Sequence, residues 1–129
     1  MILVKTKIGQ SNIHGIGLFA AEPIAKGTKV WEFTPGFEVV LDKEQVSRLS
    51  EAAREQFFHY AYLSKESRKY VLCTDDARFF NHDDNSNITC IVPRETRIEN
   101  ALECFATRDI QANEEITNNY REFDSTQEI

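Results

Sequence analysis

The sequence predicts a mainly β protein with a short helical insert, of the α+β class. The chain has 129 residues, 41% of them hydrophobic and 28% charged, which fits a single globular domain. Most apolar residues lie in short runs rich in β-branched and aromatic side chains, separated by Gly, Pro, Asn and Asp, and this pattern is typical of strands and turns. A single segment has its apolar residues at helical spacing.

The predicted strands follow one another through most of the chain. Turn signals separate them, and the clearest are the glycine-rich segment 9–17 and the Pro35-Gly36 pair. In the segment 101–106, apolar residues alternate with others, so one face of that strand is expected to be buried. In chain order, the predicted strands are 2–7, 18–20, 29–33, 37–41, 70–73, 88–92, 101–106 and 116–120.

The single predicted helix begins after Asp42 and ends between residues 62 and 64. Asp42 is a favourable N-cap, and Gln45 three positions later completes a capping-box pattern. Apolar residues then recur at helical spacing, at Val46, Leu49, Ala53, Phe57 and Tyr60. The chain has no P-loop and no strand followed by G-x-G-x-x-G, so a nucleotide-like cofactor is expected to bind by another route.

The three cysteines are Cys73, Cys90 and Cys104. Their number is odd and no pair has C-x-x-C spacing, so the pattern predicts neither a disulfide framework nor a zinc cluster. Cys90 and Cys104 lie in strand-like runs and are predicted to be buried free thiols. No metal site is predicted.

The net charge is −6 and the pI is about 5.1. Nucleic-acid binders are normally basic, so no direct contact with nucleic acid is expected, and a lysine-rich peptide is a better-matched partner. The alternative is that the acidity only keeps the protein soluble. No apolar run approaches the roughly 20 residues of a membrane span, and the start of the chain is predicted to be a strand rather than a signal peptide.

Three stretches hold the candidate functional residues. The first, residues 11–20, has Gly15 and Gly17 one residue apart, which lets the backbone approach a ligand closely. Taken alone, this signal is weak, and a glycine-containing hairpin turn is the better explanation. The second, residues 78–87, contains Asn81 and His82 in an irregular loop. The adjacent acids at 83–84 suit a metal or, as the plainer interpretation, a solvated turn.

The third stretch, residues 106–120, is a turn followed by a strand that ends at Tyr120. By itself Tyr120 fits a core or rim aromatic, and Glu114-Glu115 fit a solvated turn. In this order, the sequences HGIGLFA, RFFNHDDNSN and NEEITNNY resemble the three motifs of the SET-domain protein lysine methyltransferases, and the minimal viral and bacterial members above all. The resemblance extends from Val4 to Tyr120.

The resemblance implies a SET fold of several small curved sheets with a C-terminal pseudoknot. On this basis the domain is expected to span residues 1–124, with the helical insert at about 42–69. The remaining residues, 125–129, are expected to form a short C-terminal tail, the one part of the chain where disorder is expected.

The resemblance also implies an enzyme that transfers a methyl group from S-adenosyl-L-methionine to a lysine ε-amine of another protein, leaving S-adenosyl-L-homocysteine. Tyr120 is the expected catalytic residue, and Tyr62 and Tyr120 are expected to line the substrate channel, although Tyr62 equally fits a plain core position. The expected cofactor-binding residues are His14, Gly15, Ile16, Gly17, Asn81, His82, Tyr120 and Phe123.

Several positions depart from the family pattern. Asp83-Asp84 replace the usual Ser-Cys, Ser86 replaces a Pro, and Asn113 replaces a Gly, a mild change because Asn tolerates the left-handed region. The cysteine-rich post-SET module is absent, so Phe123, Asp124 or a second subunit of a homodimer is expected to wall the channel. These departures favour one alternative, a catalytically weak or inactive SET-like peptide-binding module.

A histone or another basic protein is the expected substrate. The enzyme is expected to act in the cytoplasm, or in the nucleus or host nucleus if the substrate is a histone.

Overall fold

The computed structural model describes residues 1–93 and 100–128, and these form ten short strands, two α-helices and three 3₁₀ helices. The strands are β1 Thr6–Gln10, β2 Ile16–Ala20, β3 Lys29–Glu32, β4 Glu38–Leu41, β5 Tyr62–Leu63, β6 Tyr70–Cys73, β7 Asn81–His82, β8 Ile88–Ile91, β9 Glu103–Ala106 and β10 Thr117–Asn118. The helices are α1 Lys43–Ser47 and α2 Glu51–Tyr60, and the 3₁₀ helices are Asp76–Phe79, Tyr120–Glu122 and Ser125–Glu128.

These strands form four small sheets. β1 and β2 make an antiparallel hairpin, β3-β9-β8 and β4-β6-β5 are three-stranded antiparallel sheets, and β10 pairs in parallel with β7. The sequence predicts this architecture of short strands in small sheets with few helices. The expected fold class is therefore confirmed.

The core lies between β2, the β3-β9-β8 sheet and the segment that leads into β10. Leu18, Ile88, Ile110 and Ile116 are fully buried there. In β9 and the residue before it, Leu102, Cys104 and Ala106 are all buried, which confirms the alternation predicted for this strand. Burial of these side chains supplies the main hydrophobic stabilisation of the fold.

Each predicted strand segment overlaps an observed strand, and only the bounds of 70–73 are exact. The first ladder begins only at Thr6, and Ile2 forms a single bridge with Trp31. The two-residue strands β5 and β7 were not predicted, because so short a segment shows no alternation of side chains.

The prediction of one continuous helix is wrong, because the segment folds as α1 and α2. The Asp42–Gln45 capping box is confirmed at the start of α1. Ser50 has extended backbone angles, and its hydroxyl accepts from the N–H of Ala53, so it starts a new helix. The guanidinium of Arg54 donates to the carbonyl of Leu49 at 2.8 Å and thereby satisfies an acceptor at the end of α1.

The prediction that Cys90 and Cys104 are free thiols is also wrong. The two residues lie directly opposite each other in the β8–β9 ladder, with Cα atoms 4.0 Å apart, and their sulfur atoms are bonded. The pairing follows from the register of β8 and β9. The spacing of the cysteines along the chain does not reveal that register. Cys73 is a buried free thiol, and burial raises its pKa to about 12.

The C-terminal segment crosses the rest of the fold. After β10 it forms the Tyr120–Glu122 turn, and Asp124 then bridges to Ser64. This crossing, between β7 on one side and the end of the insert on the other, corresponds to the expected pseudoknot. The expected tail forms a 3₁₀ helix, in which the buried Ser125 hydroxyl donates to the carbonyl of Leu63 at 3.0 Å. Residue 129 lies outside the described residues.

Candidate active site

Asn81 connects the glycine turn to the loop at the start of β7. Its side-chain amide nitrogen lies 3.0 Å from the carbonyl oxygen of His14, 3.4 Å from that of Ile16 and 2.9 Å from the Glu115 carboxylate. Asn81 is buried, whereas His14 and Ile16 are exposed at the tip of the hairpin. All three motif stretches therefore meet at this one side chain.

Glu115 is a site residue that the sequence analysis missed. Its carboxylate accepts from the Ser11 hydroxyl at 2.7 Å as well as from Asn81. A Cβ atom added to Gly17 would lie 2.5 Å from a Glu115 carboxylate oxygen, so a larger residue there would displace the Glu115 side chain from its present contacts. Glu114 and Glu115 are half-buried and both accept hydrogen bonds, so they are not the fully solvated pair that the sequence predicts. Two adjacent acids in a polar turn give the same sequence signal whether their carboxylates face water alone or also bond to a neighbouring loop.

Tyr120 opens the 3₁₀ turn after β10. Its hydroxyl donates to the carbonyl oxygen of Phe80, and its backbone N–H donates to Nδ1 of His82 at 3.1 Å. The Tyr120 ring centroid lies 5.3 Å from that of His82 and 5.9 Å from that of Phe123. Burial, assisted by the negative charge of Asp124, raises the pKa of Tyr120 to about 12. The phenol is therefore protonated at neutral pH.

Asp83 is half-buried and Asp84 is exposed, in agreement with the prediction of solvated acids, and both carboxylates also make defined hydrogen bonds. The Asp84 carboxylate lies 2.9 Å from Nε2 of His82 and accepts from the Arg121 guanidinium. Hydrogen bonding to His82 and then to Arg121 lowers the pKa of Asp84. The carboxylate of Asp83 accepts from the N–H of Asn85 at 2.9 Å.

Asn87 holds the last part of this loop against β10. It is 2% exposed, and its side chain donates to the Glu115 carbonyl at 2.8 Å and accepts from the Thr117 N–H at 2.9 Å. These bonds fix the approach to β10 relative to β7. Asn113 adopts a left-handed φ of 70°, in agreement with the expectation that Asn tolerates this position.

A cavity of about 380 Å³ lies beside Tyr120. Tyr62 and Phe123 pack edge to face against each other on its wall, with ring centroids 4.9 Å apart. Burial raises the pKa of Tyr62 well above its ordinary value. Two buried polar atoms among the described residues, Nε1 of Trp31 and Oδ1 of Asn118, have no hydrogen-bond partner, and both residues line this cavity.

The structure therefore divides the predicted site residues into two groups. His14, Gly15, Ile16, Gly17 and Asn81 lie together at the hairpin turn. Tyr62, Tyr120 and Phe123 border the cavity, so Phe123 lies on the side of the predicted substrate channel rather than at the glycine turn. His82 contacts Tyr120 through both its ring and its Nδ1 atom.

Within residues 1–93 and 100–128, no group of three or more His, Cys, Asp or Glu residues could hold a metal ion. The helices of the same part of the chain are all too short or too polar to cross a membrane.

Two curated relatives from fungi are similar over most of this chain. A histone-lysine N-methyltransferase, H3 lysine-36 specific, from Cryptococcus neoformans is 31% identical over 112 residues, which are 82% of this chain and 13% of the relative. A protein of the same description from Mycosarcoma maydis is 30% identical over 91% of this chain and 12% of its own length. The chain thus spans about an eighth of the length of these relatives.

Solved structures with the same fold include Polycomb Repressive Complex 2 from Chaetomium thermophilum. In its autoinhibited conformation bound to S-adenosylmethionine, the matched chain has a TM-score of 0.67 and 25% identity, over 95% of this chain and 16% of that one. A humanized mutant of the same complex bound to an inhibitor has a TM-score of 0.68 and 26% identity, over 93% and 15% of the two chains. The SET domain family matches residues 15–121. With this match over most of its length and with its motifs brought together around Asn81 and Tyr120, the chain belongs to the SET domain family.

Proposed function

We propose that this chain transfers a methyl group from S-adenosyl-L-methionine to the ε-amine of a lysine in a protein substrate and releases S-adenosyl-L-homocysteine. The observation that carries the proposal is the position of two adjacent residues. The carbonyl of Phe80 accepts from the Tyr120 phenol, and the side chain of Asn81 binds the glycine turn. Two neighbouring residues thus bind the phenol at the cavity and the glycine turn at the surface, and they hold these two groups close together.

The residues at the turn suit this cofactor. S-adenosylmethionine has two positive charges, on its sulfonium and its amino group, against one negative charge on its carboxylate, and it supplies the methyl group on a good leaving group when it is bound. The turn offers the carbonyl oxygens of His14 and Ile16, the buried amide of Asn81 and the carboxylate of Glu115. An acceptor-rich surface of this kind favours a cation over an anion. Gly17 is buried beside this carboxylate, and a Cβ atom there would displace the Glu115 side chain.

Tyr120 acts by position and not as a base. Because its pKa is about 12, the hydroxyl is already protonated at neutral pH and cannot take a proton from the lysine. Because its proton is donated to the Phe80 carbonyl, the lone pairs of its oxygen remain available to the amine and to the polarised methyl C–H groups. In-line alignment of amine, methyl carbon and sulfur lowers the barrier by restricting the reacting groups to a near-attack geometry.

The cavity receives the lysine side chain. A free lysine has a pKa of about 10.4, so the amine must release its proton to solvent before it attacks. The apolar rings of Tyr62 and Phe123 disfavour the ammonium form and pack against the aliphatic stem. Phe123 and Asp124 line the cavity, and we assign to them one wall of the lysine channel.

A histone or another basic protein is the proposed substrate. The names of the curated relatives support a histone, and the net charge of −6 complements a lysine-rich segment. A histone substrate places the action in the nucleus, or in a host nucleus. We assign residues 1–124 to the catalytic domain, with the insert at about 42–69, in accordance with the family match at 15–121.

The test is a transfer assay with the purified chain. Radiolabelled S-adenosylmethionine is incubated with core histones, and digestion with mass spectrometry locates the label. The proposal expects label on lysine and a rise in melting temperature on addition of the cofactor, because a ligand that binds the folded state stabilises it. A cofactor-dependent shift without transfer to any basic protein would favour the inactive peptide-binding module instead.

A further inference from the structure

We propose that Asp84 is a positioning residue that fixes the tautomer of His82 and, through His82, the orientation of Tyr120. This inference rests on the proposed function, because the proposed function gives Tyr120 its role in methyl transfer. Asp84 is one of the positions at which this sequence departs from the SET motif.

The tautomer follows from the contacts of the imidazole. The backbone N–H of Tyr120 can only donate, and it lies 3.1 Å from Nδ1 of His82. Nδ1 must therefore be the unprotonated nitrogen that accepts this bond. In a neutral imidazole the proton then resides on Nε2.

Asp84 stabilises this arrangement from the other side of the ring. Its carboxylate can only accept, and it lies 2.9 Å from Nε2 of His82. Arg121 donates to the same carboxylate oxygen and keeps the group ionised and oriented. A carboxylate that holds a histidine in one tautomer is a general way to orient the group on the opposite ring nitrogen.

Loss of Asp84 would affect the orientation of Tyr120 more than the fold. With no acceptor at Nε2, the tautomer that is protonated at Nδ1 becomes available, and its N–H would oppose the N–H of Tyr120. The 3₁₀ turn itself keeps other supports, since Glu122 accepts from the Thr89 hydroxyl at 2.6 Å and from the Cys90 N–H at 3.3 Å. The Tyr120 backbone would therefore gain freedom within a folded domain.

The matched variants are Asp84→Ala, Asp84→Asn and Asp83→Ala. Asp84→Ala removes the acceptor and should lower kcat by about 10-fold or more, with KM for S-adenosylmethionine changed by no more than about twofold. Asp84→Asn retains an amide oxygen that can accept from Nε2 and should recover most of kcat. Asp83→Ala makes the same change of charge one residue away, where the carboxylate bonds only to the Asn85 N–H in the described contacts, and should keep wild-type kcat.

Nitrogen NMR of His82 separates this inference from the proposed function, because it needs no turnover. The wild type should show a protonated Nε2 and an unprotonated Nδ1, and Asp84→Ala should show a mixture of tautomers with faster exchange of the Tyr120 amide proton. A wild-type Nδ1 that is protonated, an unchanged spectrum in Asp84→Ala, or equal kcat losses in Asp83→Ala and Asp84→Ala would overturn the inference. Absence of methyl transfer in the wild type, with the expected spectrum, would overturn the proposed function alone.

Discussion

The side-chain amide of Asn81 lies 3.0 Å from the carbonyl oxygen of His14, although the two residues are 67 positions apart in the chain. This bond joins the hairpin turn to β7, and the same amide also reaches the Glu115 carboxylate. It is the point at which the three conspicuous stretches of the sequence become one site.

Asn81→Ala should weaken the binding of S-adenosylmethionine by about 10-fold or more. The substitution leaves the His14 carbonyl without its side-chain donor and removes one donor to the Glu115 carboxylate, which keeps the Ser11 hydroxyl, and the loss of such a bond costs about 1–3 kcal/mol. Isothermal titration calorimetry measures the effect. Asn85→Ala, an exposed asparagine in the same loop, serves as the control and should bind with wild-type affinity. Equal affinities for wild type and Asn81→Ala would remove Asn81 from the cofactor site.

Gly17→Ala should impair cofactor binding far more than Gly9→Ala, although the two glycines pair with each other in the β1–β2 ladder. A Cβ atom at Gly17 would lie 2.5 Å from the Glu115 carboxylate, whereas at Gly9 it would make an ordinary contact of 3.4 Å with the Phe19 ring. The cofactor-induced rise in melting temperature is the measurement. The interpretation of Gly17 fails if both variants keep the full rise.

The Cys90–Cys104 disulfide should leave a single cysteine free for alkylation in denaturant without a reductant. Mass spectrometry counts the added groups, and three modified cysteines would show that the bond does not form. Closure of a loop with a sequence separation of 14 restricts the unfolded chain. Reduction should therefore lower the free energy of unfolding by about 3 kcal/mol, as measured by urea denaturation with and without a reductant.

Alkaline pH should destabilise the wild type more than Tyr120→Phe. The folded state raises the pKa of Tyr120 from 10.0 to about 12, so the unfolded chain loses this proton first. The stabilising contribution is complete below pH 10 and is lost as the pH rises to about 12, with a size of the order of 2 kcal/mol. Urea denaturation of both proteins at pH 9 and pH 11.5 measures it. Parallel losses of stability in the two proteins would contradict the assigned pKa.

The sequence permitted prediction of the features that local pattern controls. The strands, the capping box at Asp42 and the three motifs follow from alternation, side-chain chemistry and residue order. The break at Ser50 was missed because a serine inside an amphipathic pattern also fits a continuous helix. The Cys90–Cys104 bond depends on strand register, and the contact between Glu115 and Asn81 depends on the approach of distant loops, so neither has a local signal.

The role of Asp84 illustrates the same limit at the site. As one of two adjacent acids in a polar loop, it resembles a solvated residue, and only the position of the His82 ring shows that its carboxylate has a partner. The departure from the family pattern at Asp83-Asp84 therefore does not disrupt the loop, because the new side chains make their own hydrogen bonds there.

The most direct test of the central claim is a single-turnover comparison of wild type and Tyr120→Phe with saturating S-adenosylmethionine and a histone substrate. The substitution removes only the hydroxyl that donates to the Phe80 carbonyl and keeps the ring. The account predicts that the methyl-transfer rate falls by about 100-fold or more, while cofactor affinity stays within about threefold of wild type. A Tyr120→Phe protein that transfers methyl groups at the wild-type rate would contradict it.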